Sequence, residues 1–207
     1  MYNFTFNIPT KIHFGKDTIS SLSELKAYGS KVLLVYGGGS IKKNGLYDTA
    51  MKILKDAGLT VFELSGVEPN PKIETVRKGV EICKNEGIDM VLAIGGGSTI
   101  DCSKVVAAGA KYDGDAWDLV LDGSKVKASL PIFDVLTLSA TGTEMDPFAV
   151  ISDMSKNEKW GTGSPYMVPT MSILNPEYTF SVSKKQTAAG TADMMSHTME
   201  NYFSMEN

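Results

Sequence analysis

The sequence predicts an α/β fold in which a parallel sheet is flanked by helices. Three observations predict it. Short β-branched or apolar runs alternate with amphipathic helical stretches, each bounded by Gly, Asp, Asn or Pro. The helical stretches are long enough to serve as crossovers, which parallel neighbours require. Two glycine triplets, Gly37-Gly38-Gly39 and Gly95-Gly96-Gly97, stand where a strand should hand over to a helix.

In chain order, Lys11 to Phe14 reads as the first strand. Ile19, Leu22 and Leu25 mark a helical face that opens after an Asp17 cap and stops at Gly29. Val32 to Tyr36 is the next strand. Leu46, Ala50, Ile53, Leu54 and Ala57 keep helical spacing up to Gly58, and Thr60 to Leu64 returns as strand. Ile73, Val76, Val80 and Cys83 run from just after Pro71 to Gly87. Met90 to Ile94 is again strand, followed by a helix over Ser98 to Ala110. Beyond Trp117 the rhythm loosens. Pro131 to Leu138, Phe148 to Ser152 and Val168 to Leu174 remain strand candidates, with the polar Asp153 to Gly163 stretch between them as an exposed hairpin or loop. Asn175-Pro176 breaks the pattern. Ser183 with Gln186 three positions on has the form of a capping box, opening a helix that runs to Phe203.

With 207 residues, the length suits one full domain and part of another. We expect an α/β domain over 1–180, and over 181–207 a helix that either docks on the sheet or is the first helix of a second, truncated domain. The 43% apolar and 21% charged content excludes collagen-like and disordered classes. A net charge of −4 offers no positive field for nucleic acid or an anionic membrane, so neither is expected as a partner. Cys83 and Cys102 form neither a disulfide framework nor a zinc ribbon, and reduced thiols are expected. Met1 to Asn7 lacks a basic stretch leading into an apolar one, and no apolar run reaches a membrane span, so a cytoplasmic location is the expectation.

Each glycine triplet is a candidate phosphate cradle: glycine lets the backbone turn tightly and approach an anion, and the following helix offers unpaired N–H groups. Neither triplet fits G-x-G-x-x-G, and no G-x-x-x-x-G-K-[ST] run exists, which disfavours a kinase P-loop. Asp101 and Lys104 share a helical face. They read either as a first-turn carboxylate with a surface partner or as part of a site. Asp193 and His197, at i and i+4, place a carboxylate and an imidazole one turn apart, as two ligands of a divalent cation or as a simple intrahelical hydrogen bond. His13, in the first strand, reads as structural.

Taken together these residues resemble the iron-containing, group III alcohol dehydrogenases, whose fold is shared with dehydroquinate synthase and glycerol dehydrogenase. Seven motifs in order carry the resemblance: Pro9 to Gly15; Gly37 to Ser40; Glu68-Pro69-Asn70-Pro71; Gly95 to Lys104; Thr137 to Glu144; Asn175 to Thr179; and Gly190 to His197. The subgroup it resembles is the NADPH-linked butanol dehydrogenases and aldehyde reductases. The resemblance implies a Rossmann-like domain followed by an all-helical metal-binding one, and hydride transfer between NADP(H) and a primary alcohol or aldehyde. It also implies a metal, usually Fe²⁺ and sometimes Zn²⁺, acting on the substrate oxygen in the cleft between the domains.

By the same resemblance Gly37, Gly38, Gly39 and Ser40 form the first loop, and Gly95, Gly96, Gly97 and Ser98 cradle the pyrophosphate. Asn70 borders the adenosine half, Thr137 and Leu138 line the path to the nicotinamide, and Asp101 and Lys104 sit near its ribose. NAD-preferring members carry an aspartate in the first loop, where a carboxylate repels a 2′-phosphate. Here Gly39 and Ser40 stand instead, with Lys42, Lys43 and Lys159 as expected cations, so NADP(H) is expected over NAD(H). Asp193 and His197 match the first half of a site of one Asp and three His. With the other half absent from this sequence, weak or no turnover is expected from the chain alone, along with an exposed apolar face around Met194, Met195, Met199 and Phe203. Members commonly pair, making a homodimer the expected assembly. The competing readings are a catalytically dead dinucleotide-binding fragment and a sister enzyme of the glycerol dehydrogenase or dehydroquinate synthase kind.

Overall fold

A computed structural model describes Asn3, Thr5 and residues 7–204. The readings of Met1 to Asn7 and of the last three residues therefore lie partly outside the described residues. Six parallel strands form one sheet: β1 (Lys11–Phe14), β2 (Lys31–Tyr36), β3 (Thr60–Leu64), β4 (Met90–Gly95), β5 (Ile132–Leu136) and, counting past a separate hairpin, β8 (Met171–Leu174). Their order across the sheet is β1-β8-β5-β4-β2-β3. Strands β4 and β5 are buried on both faces, which is why they read as continuous apolar runs without alternation.

The helices are α1 (Ser40–Lys43), α2 (Leu46–Asp56), α3 (Ile73–Glu86), α4 (Gly97–Gly109), α5 (Ala116–Leu121) and α6 (Lys184–Phe203). Two core layers form, one on each face of the sheet. Val76, Cys83, Val105, Val106 and Trp117 pack with Leu33, Val35 and Val91 on one side. Leu22, Leu25, Ala50 and Leu54 pack with Leu34, Leu92 and Phe133 on the other. Burial of this kind contributes about 1.5–3 kcal/mol per large side chain and dominates the stability of the layers.

Several local expectations are corrected. Thr18–Tyr28 is a 3-10 helix, with Ile19, Leu22 and Leu25 buried at a spacing of three that stacks them along one edge. Asp17 does not cap it. That residue is left-handed (φ 60°), and its carbonyl accepts from the Ser20 amide and hydroxyl. The hydroxyls of Thr18, Ser20 and Ser23 all bond to carbonyls three residues back, which favours the tighter winding. Two short helices, α1 and α5, interrupt connections that the sequence pattern leaves irregular; α5 starts where the Asp115 carboxylate accepts from the Trp117 amide. The stretch after Asp153 supplies the second arm of an antiparallel hairpin, β6 (Phe148–Asp153) with β7 (Glu158–Gly163). At α6, Ser183 Oγ accepts from the Gln186 amide at 3.2 Å, one arm of the foreseen capping box. None of the described residues of α6 is buried, and Met194, Met195, Met199 and Phe203 lie exposed. Among the described residues no helix is long and apolar enough to cross a membrane.

Candidate functional site

The chain leaves β2, builds β3 at the edge of the sheet, then returns past β2 to lay down β4. Between β2 and β4 the direction of winding reverses, and in open parallel sheets such a switch point opens a crevice at the carboxyl ends of the strands. Both glycine triplets sit there, side by side: Tyr36 pairs with Ile94 in register, and the next residues on each strand are the glycines.

The two turns differ in detail. Gly37-Gly38-Gly39 leads into the single turn of α1. Gly39 has φ +95°, a conformation glycine adopts without strain, and a Cβ on Gly38 or Gly39 would meet nothing within 4 Å. Gly95-Gly96-Gly97 leads into the longer α4 and is packed from the other side. A Cβ on Gly95 would lie 2.5 Å from Thr99 Oγ1, one on Gly96 3.2 Å from Leu138 Cβ, and one on Gly97 3.2 Å from Thr141 Oγ1. The Thr137 amide donates to the Gly95 carbonyl at 2.9 Å and fixes the 137–143 segment against the turn. Among the described residues the Gly97 and Ser98 amides enter no backbone hydrogen bond, as expected of the first turn of a helix, where N–H groups and the positive dipole end suit an anion.

Asn70, Ser98 and Lys159 come together at one rim. The Asn70 amide donates to Ser98 Oγ at 3.3 Å, and Lys159 Nζ, reaching over from β7, donates to Asn70 Oδ1 at 2.7 Å. Asn70 is left-handed at φ 55°, which turns the chain after β3 back toward α4. Lys104 is placed differently from either sequence reading. It is wholly buried, so it is no surface partner, and its ammonium reaches Thr143 Oγ1, the Asp146 carbonyl and carboxylate, and the Phe148 carbonyl at 2.8–2.9 Å. Asp101 accepts from Thr143 Oγ1 at 2.7 Å and from the Val150 amide at 3.0 Å. Burial pushes its carboxyl above the ordinary range against those two hydrogen bonds. Asp101 and Lys104 are thus joined through Thr143, beneath the second turn, and lash α4 to the 143–150 segment.

Beside the first turn stands a cluster that sequence reading passed over. The Glu63 carboxylate accepts from Tyr36 and Tyr47 hydroxyls, each at 2.6 Å, and Lys42 lies over both tyrosine rings with its ammonium 3.8 Å from Glu63. Burial raises the Glu63 pKa, but the two hydroxyls and Lys42 outweigh it and hold the carboxyl below its usual range. The hydrogen bond to Glu63 pushes the Tyr47 hydroxyl up to about 12. A lone carboxylate inside the apolar Thr60–Leu64 strand was the available signal. Lys42 is already engaged here, which changes its availability to a phosphate.

On α6, Asp193 Oδ1 and His197 Nε2 share a face and stand 3.7 Å apart, both about half exposed. That separation is beyond a hydrogen bond. The helix approaches the second turn's supporting segment: a Cβ on Gly190 would lie 3.6 Å from the Ser139 carbonyl. A carboxylate and an imidazole are suitable donors for Fe²⁺ or Zn²⁺. Among the described residues no group of three or more His, Cys, Asp or Glu is placed to hold a metal, so the chain offers a two-donor arm.

Residues 9–176 match the family described as iron-containing alcohol dehydrogenase. The chain belongs to that family. It is 62% identical over 99% of its length to NADH-dependent butanol dehydrogenase A of Clostridium acetobutylicum, covering 53% of that protein. It is 40% identical over 98% of its length to the NADPH-dependent aldehyde reductase YqhD of Escherichia coli, covering 52% of it. The crystal structure of NADH-dependent butanol dehydrogenase A from Thermotoga maritima superposes with a TM-score of 0.94 at 49% identity, over 98% of this chain and 52% of that one. This iron-containing alcohol dehydrogenase chain spans about half the length of the relatives it matches.

Proposed function

We propose that the protein is a metal-dependent alcohol dehydrogenase or aldehyde reductase, and that these residues form its dinucleotide-binding part. The observation that carries this reading is the pairing of two glycine turns at the switch point of the sheet, one of them opening a helix with free amides. In this reading Gly95 to Ser98 hold the pyrophosphate, Asn70 and Lys159 border the adenosine ribose, and Thr137 and Leu138 orient the nicotinamide. Asp101 and Lys104 act from below, through Thr143, by holding the turn in shape. Asp193 and His197 would supply two positions of a metal site. A divalent cation held there supplies Lewis acidity toward the alcohol or carbonyl oxygen. No side chain of this region is needed as a nucleophile, so its work is to bind, orient and exclude water.

For the cofactor we propose NADP(H), because no carboxylate stands in the Gly39–Ser40 loop to repel a 2′-phosphate. NAD(H) is the second reading, favoured by the engagement of Lys42 with Glu63 and by relatives at 55–62% identity whose names specify NADH. The substrate class we propose is a small primary alcohol or its aldehyde, in a cytoplasmic and dimeric enzyme. The test measures fluorescence of bound NADPH and NADH, and aldehyde-dependent oxidation of each, in Fe²⁺-supplemented buffer. Because four-coordinate sites need more donors than two, the 207-residue chain should bind the cofactor with little or no turnover. Absence of binding by either cofactor would reject the reading.

A further inference from the structure

Asp134 lies in the middle of β5 with no exposed surface, paired in register with Ala93 on one side and Ser172 of β8 on the other. Ser172 Oγ is 2.6 Å from Asp134 Oδ2 and 2.7 Å from the Glu144 carbonyl oxygen. Both are hydrogen-bond distances, yet a hydroxyl carries one proton and a carbonyl carries none. The Glu144 contact consumes the serine proton. The proton in the second contact must then belong to Asp134. Its other oxygen, Oδ1, is buried without a partner, which is tolerable for the carbonyl of an acid and costly for a carboxylate. The charged groups that face it are Glu144, of the same sign, and Lys104 of α4, whose ammonium is taken up by Thr143, Asp146 and Phe148. Burial pushes the carboxyl well above its ordinary range, and the Ser172 bond and Lys104 oppose that only in part.

We propose that Asp134 is a neutral carboxylic acid that donates to Ser172, and that Ser172 thereby holds the Glu144 carbonyl and positions the 137–146 segment against the second glycine turn. The segment ends in the groups the turn leans on: Leu138 against Gly96, Thr141 against Gly97, and Thr143 between Asp101 and Lys104. Asp134 is a positioning residue. Its relevance to cofactor binding rests on the dinucleotide reading above, whereas its protonation does not.

The sign of the pH effect follows from linkage. Asp134 keeps its proton in the fold and loses it in the unfolded chain above about pH 4, so raising the pH favours unfolding until the native group also ionises. Urea unfolding of wild type and Asp134→Asn across pH 5–8 tests this, since asparagine donates to Ser172 without ever ionising. The folding constant of wild type relative to Asp134→Asn should fall as the pH rises from 5, by at most about tenfold (about 1.4 kcal/mol) per pH unit, and level off where native Asp134 ionises. Infrared difference spectra should show the carbonyl stretch of a protonated acid in wild type, shifted in D₂O and missing from Asp134→Asn. Amide resonances of Thr141 to Glu144 and Gly97 should move in Ser172→Ala and stay in place in Asp134→Asn. A pH-independent gap between wild type and Asp134→Asn, or no acid band in wild type, overturns the protonation; unmoved resonances in Ser172→Ala overturn the positioning. Should wild type bind no dinucleotide while these results hold, only the proposed function fails.

Discussion

The two glycine triplets have the same three residues at adjacent strand ends, and the structure needs them for different reasons. In Gly37 to Gly39 the space around Gly38 and Gly39 stays open and the requirement on Gly39 is conformational, its φ being +95°, while only Gly37 is pressed, its Cβ position lying 3.2 Å from the Val67 carbonyl oxygen. In Gly95 to Gly97 the requirement is one of closeness: Thr99, Leu138 and Thr141 occupy the volume in which side chains would grow. The first turn is therefore pressed at one glycine and shaped by its backbone at another, whereas the second is pressed at all three. The difference extends to the charges nearby. Lys42 and Glu63 at the first turn are partly exposed, but Lys104 behind the second is wholly enclosed.

Removing the buried support of the second turn should have the largest effect. Lys104→Ala leaves Asp146 and Asp101 without their cation, and loss of one partner from a buried pair costs about 3–5 kcal/mol, read as a drop in the urea midpoint. Next comes Gly95→Ala, whose Cβ would lie 2.8 Å from Thr99 Cβ, an atom that no rotamer change can move. Overpacking of this sort costs about 1–3 kcal/mol. Gly39→Ala should cost about 1 kcal/mol through its left-handed backbone alone. Gly38→Ala meets neither obstacle and should stay within about 0.5 kcal/mol of wild type. If Gly38→Ala proved as damaging as Gly95→Ala, the contrast between the turns would be wrong.

The smallest effects concern titration beside the first turn. Glu63 is held below its usual range, so its contribution to stability is complete above the ordinary glutamate pKa near 4.3 and fades as the pH falls through the native value. Tyr47 should ionise near pH 12 by ultraviolet absorbance, and Glu63→Gln should return it toward 10. A tyrosine titration unchanged by that substitution would dissolve the cluster.

Most of the fold was legible because its signals are local. The strands at Lys11–Phe14 and Thr60–Leu64 fall where β-branched runs end in Gly, Asp or Ser, and α2 and α3 stop at Gly58 and Gly87. The 3-10 winding of Thr18–Tyr28 was written in the spacing of Ile19, Leu22 and Leu25, which fits a period of three as well as one of 3.6. At the site, adjacency of the triplets was not legible, since it depends on β4 pairing with β2 across the sheet. Nor was the engagement of Lys104, which looks like any exposed helical lysine until Asp146 and Phe148, more than forty residues on, fold over it. Asp134 and Glu63 were visible as carboxylates within apolar strands, and a charge in such a place asks for a partner even when its identity is hidden.

The central claim is that a dinucleotide's phosphates rest on the second turn. Amide NMR of the chain during titration with NADPH and with NADH tests it most directly. Saturable shifts at Gly95 to Ser98, spreading to Asn70 and Thr137, are the predicted result. Saturation with those amides unmoved, or no response to either cofactor, would contradict it.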